Sequence, residues 1–426
     1  MTDNYLSRAF KIPDLRNKII LTLSILALYR FLSHVPVPNV DTEALRAFFD
    51  SNQFLGFLNT FTGGGLRNFS IIALGVGPYI TASIILQVLT FVVPSLEELS
   101  KEGYAGRQKI NQYTQALTVP LSLVQAYGVY FIFNTQAQLL PNLDLLELVV
   151  VILSMSAGTF LLTWLGERIT EYGIGNGISI LIFAGILAGL PGGFAGFVSI
   201  LDTSQIFNAL IFIAVSIVVI SSVVYVNEAF RKIEIRYSTK VGGRSLSSGS
   251  SFIPIKINQA GVIPIIFAVS LVLIPSFLGT YLQRMSDPRL LDLGIWLSSN
   301  FTPSSILYSA FYFFLVFGFT YFYTSVTFNP NKISDEIRRG GGFIPGVRPG
   351  RSTVQLLKYI INRLTLAGGV FLGLIAVLPS LIQNMTNITT LAIGGTGLLI
   401  VVSVVLDTVK QIESQVITRE YDNFTR

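Results

Sequence analysis

The chain of 426 residues is 51% hydrophobic and only 12% charged, a balance that excludes both a soluble globular protein and a disordered one. It has no cysteine, so disulfides, thiolate catalysis and cysteine-based metal sites are excluded, and its net charge of +6 is unevenly spread. What remains is a polytopic membrane protein.

The first apolar run, 19–37, follows Arg8, Lys11, Arg16 and Lys18 and passes into Arg30 and the string VPVPNV rather than a small-residue cleavage site. It reads as a retained first span and not as a signal peptide. The next apolar stretch, FLGFLNTFT at 54–62, is too short to cross, because a helix of that length rises about 13 Å against a hydrocarbon core of about 30 Å. It ends at Gly63, Gly64 and Gly65, and after Leu66, Arg67 and Asn68 an uncharged run at 69–93 is long enough to span. Such a half-helix either rests on the lipid surface or enters the membrane, where irregular backbone is tolerated only inside protein or beside a water-filled cavity.

Further uncharged runs lie at 113–134, 148–166, 174–190, 205–227, 259–283, 303–327, 364–383 and 391–406, which brings the predicted spans to ten. They are continuous rather than alternating and are therefore expected to be helices and not barrel strands. With the N-terminus cytoplasmic, all of the 29 basic residues except Arg30, Arg46, Arg67, Arg284 and Arg289 fall on the cytoplasmic side, so both termini are predicted inside. The long connections 228–258 and 328–363 share that side and hold turn-forming strings, STKVGGRSLSSGSS and RRGGGFIPGVRPGRS. They exceed what a topology signal needs, and a partner with an acidic or phosphate surface would dock on them. Ten spans divide into an N-terminal half at 1–200 and a C-terminal half at 201–410, followed by a tail at 411–426. Because five is odd, a duplicated half would be inverted relative to its copy, with the functional pathway between the two.

Catalysis requires clustered titratable groups, and the spans hold almost none. His34 sits beside a Pro-containing turn, and Glu167 and Asp407 lie at span ends where carboxylates reach water. The strings GIGNG (173–177) and GGTG (394–397) open membrane helices and fit close-packing turns better than nucleotide sites. Thr81, Ser83 and Gln87 in the second span, and Asn258 and Gln259 opening the seventh, supply either helix-to-helix hydrogen bonds or a polar seam that can open.

The strings ALGVGPYITASIILQ, KEGYAGRQKINQYT, WLGERITEYGIGNGISILIFAGILAGLP, KINQAGVIPIIFA, FNPNKISDEIRRGGGFIPGVRPG and GGTGLLIVVSVVLD together resemble the SecY family, the channel subunits of the Sec protein-translocation complex. The resemblance runs over nearly the whole chain. It implies an all-α fold of ten transmembrane helices in two inverted five-helix halves around a central pore, and no enzymatic activity or cofactor. It implies a plug at about 57–68, with Phe57, Leu58, Phe61, Gly63, Gly64, Gly65, Leu66 and Arg67. A pore ring is implied at Ile80, Ile84, Ile182, Ile186, Ile266 and Ile400, and a lateral gate between the second and third spans and the seventh and eighth, which takes in Thr81, Ser83, Gln87, Asn258 and Gln259. Arg348, Arg244 and Lys240 match the loop positions that engage SecA or the ribosome. The other implied partners are SecE, SecG, preprotein signal sequences and membrane lipids, in the plasma membrane of a bacterium. The competing reading from another class is an ion-coupled secondary transporter with inverted repeats, for which the spans offer no ionisable site.

Overall fold

A computed structural model describes residues 9–37, 59, 62–136, 144–199, 206–237, 240–241, 244–245, 250–283, 285, 287–302, 304–386 and 394–424. In chain order the elements are α1 (Pro13–Leu32), α2 (Gly77–Val92), α3 (Pro94–Lys101), α4 (Tyr104–Gln136), α5 (Leu145–Tyr172), α6 (Gly177–Ser199) and α7 (Ile206–Glu228). Then come β1 (Phe230–Tyr237), β2 (Lys240–Val241), β3 (Arg244–Ser245), β4 (Ser250–Lys256), α8 (Ile263–Val272), α9 (Ile274–Leu282), α10 (Pro288–Asn300) and α11 (Ile306–Thr327). The last are α12 (Pro330–Arg339), β5 (Gly342–Phe343), α13 (Arg351–Thr386) and α14 (Gly394–Phe424).

Among the described residues, Leu145–Tyr172, Ile263–Leu282, Ile306–Arg339 and Arg351–Leu378 are long and apolar enough to cross a membrane. The pair α2 and α3, bent by 102°, adds a fifth candidate, and Gly177–Gly192 and Ile213–Glu228 are shorter apolar stretches. Their outward side chains are apolar as well, including Leu145, Leu146, Leu153, Ile306 and Phe314, as expected where lipid replaces water. The protein is an α-helical, multi-pass membrane protein.

The chain forms two compact units, Met1–Phe207 with Thr386–Arg426, and Asn208–Met385. The last helix, counted with the second half by position, thus belongs to the first unit. There a Cβ on Gly397 of α14 would lie 2.8 Å from Cγ2 of Ile186 on α6. At the other end of α14, Ile412 and Val416 pack with Ala9, Leu15 and Ile174.

The uncharged run 69–93 is helical only from Gly77. Residues 62–76 are turns, because Phe69 (φ 44°) and Gly75 (φ 59°) take left-handed backbone that no helix continues through. Pro78 then starts α2 at its first turn, and Pro94 ends it by starting α3. The turn segment is buried: Leu66, Phe69, Ala73 and Leu74 share a core with Val37, Tyr130, Phe133 and Met155. Phe69 meets Phe133 edge to face at 5.8 Å.

In the second unit the described residues of the two basic connections are not open loops. β1 pairs antiparallel with β4, from Phe230↔Lys256 to Arg236↔Ser250, and β5 adds to the free edge of β1 through Arg236↔Phe343. Alternation in FRKIEIRY buries Ile233 and Ile235 on one face. Ile233 and Ile255 then pack with Ile344 and with Leu357, Ile360 and Ile361 of α13. Residues 351–363, read as the end of a loop, are therefore the first turns of α13. Changing fully buried Leu357 to Ala is expected to cost about 2–5 kcal/mol. Thermal unfolding in detergent, with proteolysis of the β1–β4 hairpin as a second readout, checks it.

The connection after α9, to which the sequence reading assigned no element, contains α10. It folds back on α9 through small residues: a Cβ on Gly279 would lie 2.7 Å from the Ser298 nitrogen, and one on Gly294 2.6 Å from the Gln283 nitrogen.

Candidate functional site

The glycine segment is built as a turn. Gly64 N–H donates to the Asn59 carbonyl at 3.0 Å while Gly63 holds φ 65°, the pairing that closes a helix with a left-handed residue. Only glycine fits there, since an added Cβ would overlap the Tyr29 hydroxyl and come within 3.0 Å of the Gly185 Cα. Gly63 thus presses its backbone on α6 at the residue before Ile186. Gly65 and Leu66 are buried beside it, Gly64 is half-buried, and Arg67 is exposed, its N–H donating to Asn59 Oδ1 at 2.8 Å. Phe57, Leu58 and Phe61 lie outside the described residues.

The six isoleucines assigned to a ring are all buried. In the first unit, Ile80 and Ile84 lie on α2, Ile182 and Ile186 on α6 and Ile400 on α14, while Ile266 lies on α8 of the second unit. Each four-residue pair shares one helix face. Gly397, in contact with Ile186, is one turn before Ile400, so α14 brings Ile400 to the same side of α6. The five of the first unit offer branched apolar side chains, and the described residues hold no group of three or more His, Asp or Glu able to bind a metal ion. Chemically, such an arrangement can exclude ions and water by dewetting and can yield around a larger apolar object.

The five polar residues assigned to a gate divide between the units. On α2, Thr81 donates to the Gly77 carbonyl at 3.1 Å, and Gln87 Nε2 donates to Ser83 Oγ at 3.0 Å. Their bonds thus stay within one helix and do not tie it to a neighbour. In the second unit, buried Asn258 donates to Asn227 Oδ1 at 2.8 Å and accepts from the Gly261 N–H at 3.0 Å, fixing the turn that leads into α8, and Gln259 is half-buried in that turn. Glu167, read from the sequence as a carboxylate at the water's edge, is instead a half-buried hub. Its Oε1 accepts from Asn111 Nδ2 at 2.8 Å and from Gln115, and Asn111 Oδ1 in turn accepts from the Tyr79 hydroxyl at 3.1 Å. That network joins α2, α4 and α5.

Arg348 is exposed on a short loop whose flanks are fixed. Ile344 is buried and Val347 packs against the sheet core, Thr353 Oγ1 donates to the Arg348 carbonyl at 3.1 Å, and Ser334 Oγ to the Gly350 carbonyl at 3.3 Å. Lys240 and Arg244 lie on β2 and β3, paired as Lys240↔Ser245 and Val241↔Arg244.

Two contributors to the glycine turn escape the sequence reading, Arg30 and Tyr29. Arg30 Nη1 donates to the Gly63 carbonyl at 2.9 Å, and Tyr29, buried, wedges its hydroxyl between Gly63 and Gly185. The available signal was a charge inside an apolar run, which in sequence alone marks only the outer end of a span.

The SecY family model matches residues 70–409, which takes in every described ring and gate residue. A protein translocase subunit SecY from Streptomyces coelicolor is 41% identical over 444 residues, covering 99% of both chains. The fold is shared with a SecY structure whose plug domain is described as stabilising the closed state of the translocation channel (23% identity, TM-score 0.63, 94% of this chain and 92% of that one). It is also shared with Sec61 in a canine ribosome-channel complex from the endoplasmic reticulum (19% identity, TM-score 0.57, with the same coverage). Identity at this level over the full length, together with the helical order and the buried glycine turn, places the chain in the SecY family.

Proposed function

We propose that the chain is a protein-conducting channel that moves unfolded preproteins across the plasma membrane of a bacterium and releases transmembrane segments into lipid. The observation that carries this reading is the seating of the Gly63 turn against α6 beside Ile186. In it, the segment 57–68 is the plug, the six isoleucines form the constriction, and Thr81, Ser83, Gln87, Asn258 and Gln259 line a lateral gate that a signal sequence opens. The two halves of five spans are inverted copies, and both termini face the cytoplasm. The chain performs no covalent chemistry. SecA or a translating ribosome supplies the energy from outside, SecE and SecG complete the channel, and Arg348, Arg244 and Lys240 receive the driving partner. Support for the partners comes from the translocase names of the relatives and from the ribosome-bound neighbour of the same fold.

Reconstitution with a SecE-like subunit and SecA in vesicles tests the reading. ATP-dependent, protease-protected preprotein is the expected result, and its absence removes the proposal. In the same vesicles, Arg348→Glu is expected to depress SecA-driven transport while leaving the amount of inserted channel unchanged, since its side chain is exposed and its loop is held by Ile344, Val347 and backbone bonds. Loss of the protein from the membrane would instead assign that loop a purely topological role.

A further inference from the structure

The segment that follows the first span is attached to it in two different ways. Residues 68–71 are fastened by main-chain bonds: Val37 N–H donates to the Phe69 carbonyl at 2.8 Å and Ile71 N–H to the Val35 carbonyl at 3.1 Å, around a Pro36↔Ser70 bridge. Asn68 Nδ2 adds a bond to the Ser33 carbonyl at 3.2 Å, and Phe69 is sunk in the apolar core. Gly63 is held to α1 differently, through the Arg30 guanidinium on its carbonyl at 2.9 Å. A charged donor makes this bond stronger than a neutral one, and its surroundings fix the donor's origin. The Arg30 carbonyl accepts from Ser33 Oγ at 2.7 Å and faces His34 Nδ1 at 2.9 Å, which locks the end of α1.

We infer that Arg30 is the latch that keeps the Gly63 turn seated on α6, a positioning residue for gating. The inference rests on the plug reading above and adds to it the contact that must break first. Residues 68–71 form the fixed root, and Gly63, with left-handed backbone and no side chain, is the point where the segment parts from α6. Unseating the turn breaks the Arg30 bond and draws Thr62 and Leu66 out of their buried contacts, while the main-chain bonds of the root to residues 35–37 stay in place.

The absence of cysteine allows a direct measurement. Thr62 is buried, with 8% exposure, so a Thr62→Cys reporter in the complex with a SecE-like subunit should react slowly with a maleimide. Adding Arg30→Gln is expected to speed labelling by roughly tenfold or more, the population change that follows from losing a charge-assisted bond, and to raise ion conductance in planar bilayers. Arg30→Lys, which keeps the charge but loses the planar fork, should fall between the two. Deletion of 57–67 is the conductance control. If the deletion leaks while Arg30→Gln labels and conducts like its parent, the latch is overturned and the plug reading stands. If the deletion does not leak, the plug reading falls and the latch with it. Should Arg30→Gln fail to accumulate in the membrane, Arg30→Lys decides the matter: faster labelling supports the latch, and the parental rate overturns it.

Discussion

Deleting residues 57–67 is expected to leave a folded, membrane-inserted protein that conducts ions constitutively. The bonds that root the segment, from Val35 and Val37 to Phe69 and Ile71 and from Asn68 to Ser33, all lie outside the deletion. Val37 and Phe69 are already neighbours, so the shortened chain closes between points the fold holds together, and loop length changes closure cost only slowly. What is lost is the Gly63 turn with its contacts to Tyr29, Arg30 and Gly185, the Leu66 side chain at one edge of the Phe69 core, and the Gly65 carbonyl that accepts from the Ser70 N–H. On the proposed reading, only the isoleucine constriction is then left to exclude ions. Planar-bilayer conductance is the readout, with circular dichroism and melting in detergent to establish that the fold persists. Conductance at the intact level would remove the plug assignment.

Gly158→Val is expected to have the opposite character, damaging the fold before it touches conduction. A Cβ at Gly158 on α5 would overlap the Ile71 carbonyl and sit 3.2 Å from the Ile72 Cα. The obstacle is backbone and not the end of a flexible side chain, so α5 or residues 70–73 must move. Moving them strains the Ile71–Val35 bond and the Phe69 core. The cost is expected at or above the upper end of the ~1–3 kcal/mol typical of overpacking, with Gly158→Ala intermediate. Membrane abundance and melting temperature check the series, and a Gly158→Ala protein as stable as its parent would contradict the close approach.

The helices were legible where a long uncharged run leaves no alternative, as in α5, α8 with α9, and α11. Residues 69–76 were not, because an apolar, uncharged segment in buried turns has the same composition as the start of a span, and the left-handed φ of Phe69 leaves no mark in sequence. The β1–β4 hairpin was partly written in the alternation KIEIR, but the Gly- and Ser-rich strings around it drew the reading toward loop. For the candidate site, the isoleucine pairs four apart could be read as shared faces, whereas the contact of Ile186 with Gly397 depends on a packing partner more than 200 residues away. Arg30 was visible as a charge, but its partner was not: a side chain bonding a carbonyl 33 positions on follows no periodicity.

The sheet of β1, β4 and β5 shares its core with the opening turns of α13, a helix of 36 residues and hence about 54 Å long. Farther along, Gly368 fits against the Ile257 carbonyl and Gly373 against the Phe313 ring of α11. The loop bearing Arg348 is therefore mounted on a strut clamped at more than one height, with no slack joint between them. On the proposed docking role, a partner that engages that loop bears on residues packed into the second unit and not on a free tether.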